Sequence, residues 1–181
     1  MLFRSKNPGK LNVPSALSSS PHLAGLMLQN RAGVKWTFIP TKGGAQSMLA
    51  LASGEGDLMF LGALQTLPHV RNGRAKLIAI SADKRDPALP NVPTVAETPG
   101  LEGFYTGSWQ GILGPAKLAP DIINKLGAET RRALQMPDVK EKLASQGTEP
   151  MTMTSVEMAR FLISEKERWA KVVKESGLKL E

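Results

Sequence analysis

The stretch "PTKGGAQSMLALASGEGDLMF", residues 40–60, sets a lysine and two glycines between a proline-ended apolar run and a helix of small residues. Those residue types suit anion binding. The first amides of a helix have no intrahelical acceptor, and the positive end of its dipole lies among them. A carboxylate or phosphate accepts from such amides. Gly43, Gly44 and the small Ala45 leave the backbone open to approach, and Lys42 adds positive charge. Hydrogen bonds to a charged group contribute about 1.5–3 kcal/mol each, so two or three converging donors hold a small carboxylate. The alternatives are a tight turn with nothing bound at Gly43 and Gly44, and a solvated side chain at Lys42.

A second grouping is Ser18, Ser19, Ser20 and His22, beside another helix start. Ser20 reads as the N-cap and Ser18 as part of a polar turn. A hydrolase would pair Ser19 or Ser20 with His22, yet no G-x-S-x-G elbow is present. A histidine two or three residues on in a helical turn need not aim at the hydroxyl. Asp57 opens a strand at the far end of the sheet and makes a poor third member. The positive helix end disfavours an imidazolium, so His22 reads as neutral and structural. His69, after Pro68, reads as cover for a helix end.

Composition excludes several chemistries. Without cysteine there are no disulfides, thiolate nucleophiles or cysteine-ligated metals, and two histidines alone do not make a common zinc set. Neither a P-loop nor G-x-G-x-x-G occurs, so no nucleotide or other cofactor is expected. The net charge of +7, from 23 basic and 16 acidic residues, favours anionic partners. The charge is scattered and aromatics are few, which argues against a nucleic-acid groove. No apolar run reaches the roughly 20 residues of a membrane span. The start "MLFRSKNPGK" has no apolar h-region, so as written the chain carries no export signal.

The elements that must position these residues read as follows. "NPG" (7–9) is a turn signal before a strand over 10–15. "SSSPHLAGLMLQNRAG" reads as a helix, with Ser20 as its N-cap, Pro21 at its first position and Gly33 as its stop. Residues 34–40 form a strand, and a helix over about 44–53 stops at Gly54. Runs 57–61 and 76–81 read as strands buried on both faces. A weaker helix (62–73) lies between them, with Pro68 near its start or kinking it. Strand–helix alternation at that spacing implies a parallel sheet. Its carboxyl edge carries three turns, 14–20, 40–45 and 61–63, which bring Ser15, Ala16, Leu61 and Gly62 into the candidate site. Pro87, Pro90, Pro93 and Pro99 make 84–100 an extended connection between lobes. A strand at 107–114 follows, then helices opened by Pro120 and Pro137, the second ending at Gly147. "TSVE" (154–157) is a capping box before a final helix. The stripe of Met158, Phe161, Leu162, Trp169, Val172 and Val173 in that helix reads as core.

Several segments together resemble the Bordetella uptake gene (Bug) family, the TctC-type solute-binding proteins of tripartite tricarboxylate transport systems. They are "NPGKLN", "SSPHLAG", "PTKGGAQ" (usually P-Y-K-G-G-A-P), "GDLMF", "LPHVRNGRAKLIAIS", "KRDPALPNVPTVAE", "SWQGILGPA", "GTEP" and "RWAKVVKESGLK". The resemblance implies a periplasmic-binding-protein type II-like α/β fold of two lobes, with the solute in the cleft. Residues 1–100 would be the second lobe, including the crossover at 84–100, and 101–181 would belong to the first. It implies a non-catalytic receptor for small di- or tricarboxylates or amino acids, which delivers them to permease subunits of the membrane transporter. The same turns are implied as ligand-lining loops. It implies a periplasmic location, or a cytoplasmic one if Met1 is the natural start. The quoted segments begin where the family's first lobe would already be made, so an N-terminally truncated receptor with impaired binding is expected. A non-binding remnant is the alternative, and a serine hydrolase a more distant one. Trp109, Phe161 and Trp169 would then be exposed, repacked or buried in a homodimer. The family's S-A-G-x-G-S turn is "SALSSS" here. Leucine does not easily take a positive φ, so the loop with Leu17 must adopt another shape.

Overall fold

The computed structural model describes residues 9–176. Asn7 and Pro8 of the turn signal, and the start of the chain judged for an export signal, lie outside the described residues. The element order is β1 (Asn12–Ser15), α1 (Ser20–Ala32), β2 (Thr37–Pro40), α2 (Gly44–Ala52) and α3 (Ala63–Arg71). A 3-10 turn (Val95–Glu97), α4 (Pro120–Gln135), α5 (Pro137–Ser145) and α6 (Ser155–Ser176) follow. The chain divides into two compact units: the residues through Ser108 together with those from Val172 onward, and Trp109–Lys171.

In the first unit β1 and β2 pair in parallel, with Asn12 opposite Thr37 and Ser15 opposite Pro40. Thr37 N–H donates to Leu11 O at 2.8 Å and Thr41 N–H to Ser15 O at 3.0 Å, so pairing extends past both strand ends. Val13, Leu28, Trp36, Leu101 and Phe104 form the core, with Phe38, Leu58 and Phe60 partly buried against it. α1 is fixed at both ends by sequence-local chemistry. Its N-cap is Ser19, not Ser20, because the Ser19 side chain accepts from His22 N–H. Gly33 takes a left-handed φ of 61°, and Val34 N–H closes on Gln29 O at 3.1 Å. Two glycines permit close packing. A Cβ on Gly25 would stand 2.9 Å from the Phe38 ring, and one on Gly56 only 2.3 Å from Pro14 Cγ.

Three expected strands do not form. The 57–61 run starts beside β1, where Asp57 N–H donates to Asn12 O at 2.8 Å. There the Asp57 carboxylate takes the Asn12 N–H, also at 2.8 Å, and no ladder continues. Leu58, Met59, Phe60 and Leu61 are half-buried instead of enclosed. The 76–81 run keeps a single parallel bridge, Ile80 with Thr94. Its neighbour is the proline-rich segment, and prolines donate no amide, so pairing stops at Pro93 O and Val95 N–H. Residues 107–114 have no ladder partner among the described residues, and Ile112 and Leu113 are exposed. Pro68 lies in the second half of α3 and not near its start; the helix ends at Arg71. The 84–100 segment is non-helical apart from the turn at Val95–Glu97, whose capping box joins Thr94 and Glu97. The Arg85 guanidinium, then the Thr94 amide, hold the Glu97 carboxyl down at about 2.

The second unit is helical. α4 and α5 each open on a proline. α5 closes with Thr148 N–H on Leu143 O and Gly147 N–H on Ala144 O, both 3.0 Å, with Gly147 at φ 67°. The Thr154–Glu157 capping box forms, with Thr154 N–H to Glu157 Oε2 at 2.7 Å and Glu157 N–H to Thr154 Oγ1 at 3.2 Å. On α6 the stripe is half-buried and includes a carboxylate that hydropathy did not flag. Glu165 is buried and accepts from Trp109 Nε1 at 3.2 Å, Trp169 Nε1 at 3.3 Å and Arg168 Nε at 2.8 Å. Burial alone would raise its pKa; the Arg168 pair and the indoles outweigh that and leave it lowered. Trp109 and Phe161 meet edge to face at 5.7 Å. These aromatics are therefore packed on one another and not bare.

The Pro14–Gly56 contact yields a stability prediction. Pro14 is fully buried and its ring cannot swing away. Gly56→Ala should cost about 1–3 kcal/mol, the usual penalty of overpacking, read as a lower denaturation midpoint. An unchanged midpoint would mean that Pro14 does not press on Gly56.

Candidate functional site

The level register of β1 and β2 makes their carboxyl ends neighbours, so α1 and α2 start from one edge. At the first corner the chain turns through Ala16, Leu17, Ser18 and Ser19. The left-handed residue is Ser18, at φ 62°, so Leu17 is spared a positive φ. Ser19 Oγ donates to Ala16 O at 2.6 Å. Ser18 N–H donates to His22 Nδ1 at 3.1 Å. His22 is 4% exposed, with its ring edge-on to Phe38 at 4.4 Å. Burial lowers its pKa, and an Nδ1 that accepts a hydrogen bond belongs to the neutral imidazole. The neutral state is as expected, and burial of the ring is a cause that the sequence did not show. The Ser19 proton is committed to Ala16 O and His22 Nδ1 to Ser18, so the hydroxyl and the imidazole do not pair and Ser19 meets His22 only through the His22 backbone N–H. The Ser20 amide has no acceptor among the described residues.

At the second corner the two glycines differ. Gly43 has an extended backbone, and an added Cβ would meet nothing within 4 Å. Neither conformation nor packing within the chain requires a glycine there. Gly44 is the more crowded: a Cβ would stand 2.7 Å from Leu61 Cδ1 and 2.8 Å from Gln65 Oε1, the ends of two flexible side chains that would have to shift. That contact joins the second corner to the third, where Leu61 and Gly62 lead into α3. The amides of Gly44 and Ala45 have no acceptor among the described residues. The Lys42 amide does have one: it donates to Gln46 Oε1 at 2.7 Å, and the Lys42 side chain is exposed. At the third corner Gly62 O accepts from Gln65 N–H and Thr66 N–H, both 3.1 Å. The Ala63 amide is left without an acceptor among the described residues.

One polar group here escaped sequence reasoning. Ser15 was a candidate from its place in the turn, but its Oγ, at the carboxyl end of β1, is buried with no hydrogen-bond partner among the described residues, which no sequence pattern signals. Thr41, Gln46, Ser47 and Gln65 were also missed. For Gln46, Ser47 and Gln65 a signal was present, since hydroxyl and amide side chains in the first turn of a helix commonly bond nearby backbone; Thr41 lies before the cap and had none.

Three helix starts thus stand at one edge of a parallel sheet, with backbone amides that have no acceptor among the described residues and an exposed lysine beside them. The chain belongs to the family described as tripartite tricarboxylate transporter family receptor (TctC), whose model matches residues 2–178. Among solved structures it is similar to R. palustris Rpa4515 with adipate, at TM-score 0.91 and 29% identity, over 97% of this chain and 59% of that one. It is similar to the periplasmic binding protein BugD at TM-score 0.86 and 28% identity, over 99% and 61%. MatC (Rpa3494) from Rhodopseudomonas palustris with bound malate matches at TM-score 0.83 and 32% identity, over 95% and 60%. The fold is thus the α/β fold of periplasmic binding proteins, a parallel sheet with flanking helices. The chain spans about half the length of the first curated relatives it matches.

The buried histidine gives stability a defined pH dependence. The unfolded chain gains a proton below about pH 6.5, while folded His22, with its lowered pKa, resists it. The stabilisation is complete above 6.5 and is lost as pH falls toward the folded pKa. Denaturation midpoints should therefore drop between pH 7.5 and 5.5, and His22→Gln should flatten that drop. An equal drop in the variant would place its origin elsewhere.

Proposed function

We propose that this chain carries the anion-gripping corners of a carboxylate receptor in a tripartite tricarboxylate-type uptake system. In this reading the corners hold a small di- or tricarboxylate, or an amino acid through its carboxylate. The receptor passes the solute to membrane permease subunits from the periplasm, where the related BugD is described as a binding protein. One observation carries the reading: the amides of Ser20, Gly44, Ala45 and Ala63, without acceptors among the described residues, gather at one edge, beside a Gly43 whose added Cβ would meet nothing within 4 Å. Adipate and malate bound to the two similar structures support the solute class. Residues 1–100 are assigned to the second lobe and 101–181 to the first. Binding and release need no bond-making step, and the corners bring no activated nucleophile together.

Calorimetric titration with adipate, malate and citrate tests this. At least one acid should bind, and Gly43→Val should weaken it about ten- to a hundredfold, as loss of one charge-assisted contact implies. The denaturation midpoint should move little, because a Cβ at Gly43 meets nothing within 4 Å. Flat heats across the panel, or a Gly43→Val variant that binds like the parent, would overturn the proposal.

A further inference from the structure

The glycine corner is braced by side chains, and two of the braces stand where this chain departs from P-Y-K-G-G-A-P: Thr41 for the tyrosine and Gln46 for the last proline. Thr41 Oγ1 and Ser47 Oγ are 2.7 Å apart. Ser47, 2% exposed, reaches Gly43 O twice, through Oγ at 3.2 Å and through its amide at 3.0 Å. A hydroxyl has one proton to give. With the Ser47 proton on Gly43 O, the short contact to Thr41 must carry the Thr41 proton. The order is therefore Thr41 to Ser47 to Gly43 O.

That order bears on the site. The Gly43 carbonyl and the Gly44 N–H are opposite ends of one planar peptide. Two donors that hold the carbonyl also hold the direction of the amide. Two peptides earlier, the Thr41–Lys42 unit is pinned by Gln46 Oε1 on the Lys42 amide at 2.7 Å, and the Thr41 amide before it is tied to Ser15 O at 3.0 Å. The brace thus runs from the end of β1 into the first turn of α2. We propose that Thr41 and Ser47 are positioning residues, whose hydroxyl relay aims the Gly44 N–H at the bound anion. The solute in this statement rests on the receptor reading above; the relay itself does not.

The test uses Thr41→Val, which keeps the side-chain volume but removes the proton, and Thr41→Ser, which restores it. Amide hydrogen exchange is measured on each chain, with adipate, malate and citrate titrations alongside. In Thr41→Val the Ser47 amide should exchange roughly three- to tenfold faster, the scale of one net hydrogen bond. The affinity for whichever acid the parent binds should fall by a similar factor, and Thr41→Ser should recover both. Unchanged exchange in Thr41→Val overturns the relay. Faster exchange with unchanged affinity overturns the positioning role. A variant serine that recovers neither quantity also overturns it, since the hydroxyl would then not be the active feature. If the parent binds none of adipate, malate and citrate, the receptor reading fails separately, and the positioning role falls with it whatever the exchange shows.

Discussion

The pairing of β1 with β2 is the constraint on which the rest of the first unit depends. Only four residues of each strand take part, so the register must be set from outside the ladder. It is set from both faces. Val13 enters the core with Leu28, Trp36, Leu101 and Phe104, while Pro14, pointing the other way, fills the space that Gly56 leaves open. A slip of one residue would exchange those faces. It would bring Pro14 into the aromatic cluster and set Val13 against Gly56. With the slip excluded, Ser15 and Pro40 end level, and the Thr41 amide closes on Ser15 O. The helix starts are neighbours because the strand ends are.

From that edge the corners are assembled by contacts of different kinds. α1 is held by a hydroxyl cap, a left-handed serine and a buried neutral histidine. α2 is held by the hydroxyl pair of Thr41 and Ser47 and by the Gln46 side chain. α3 is held by close approach of Leu61 and Gln65 to Gly44. Each device leaves one or two backbone donors unspent at the helix start.

Local signals in the sequence were legible where the chemistry itself is local. Pro21 and Gly33 bounded α1, Pro120 and Pro137 opened α4 and α5, and the Thr154–Glu157 box opened α6. What failed needed a partner far along the chain. The apolar runs at 57–61 and 76–81 looked like buried strands, but one meets an aspartate side chain in the ladder position and the other meets prolines. The N-cap moved from Ser20 to Ser19 because three serines in a row offer three candidates, and only the turn through Ala16 decides among them. The glycine pair was read as one feature. Geometry separates it, with Gly44 taken up by packing and Gly43 left open. Glu165 within the α6 stripe was invisible to periodicity, because its two indoles and its arginine are what make its burial tolerable.

The central claim is that one anion meets the three helix starts together. Amide resonances recorded while adipate or malate is added test it most directly. The account predicts that Ser20, Gly44, Ala45 and Ala63 shift along one saturating curve with a single dissociation constant. Shifts confined to α4 and α5, or separate curves for the three corners, would contradict it.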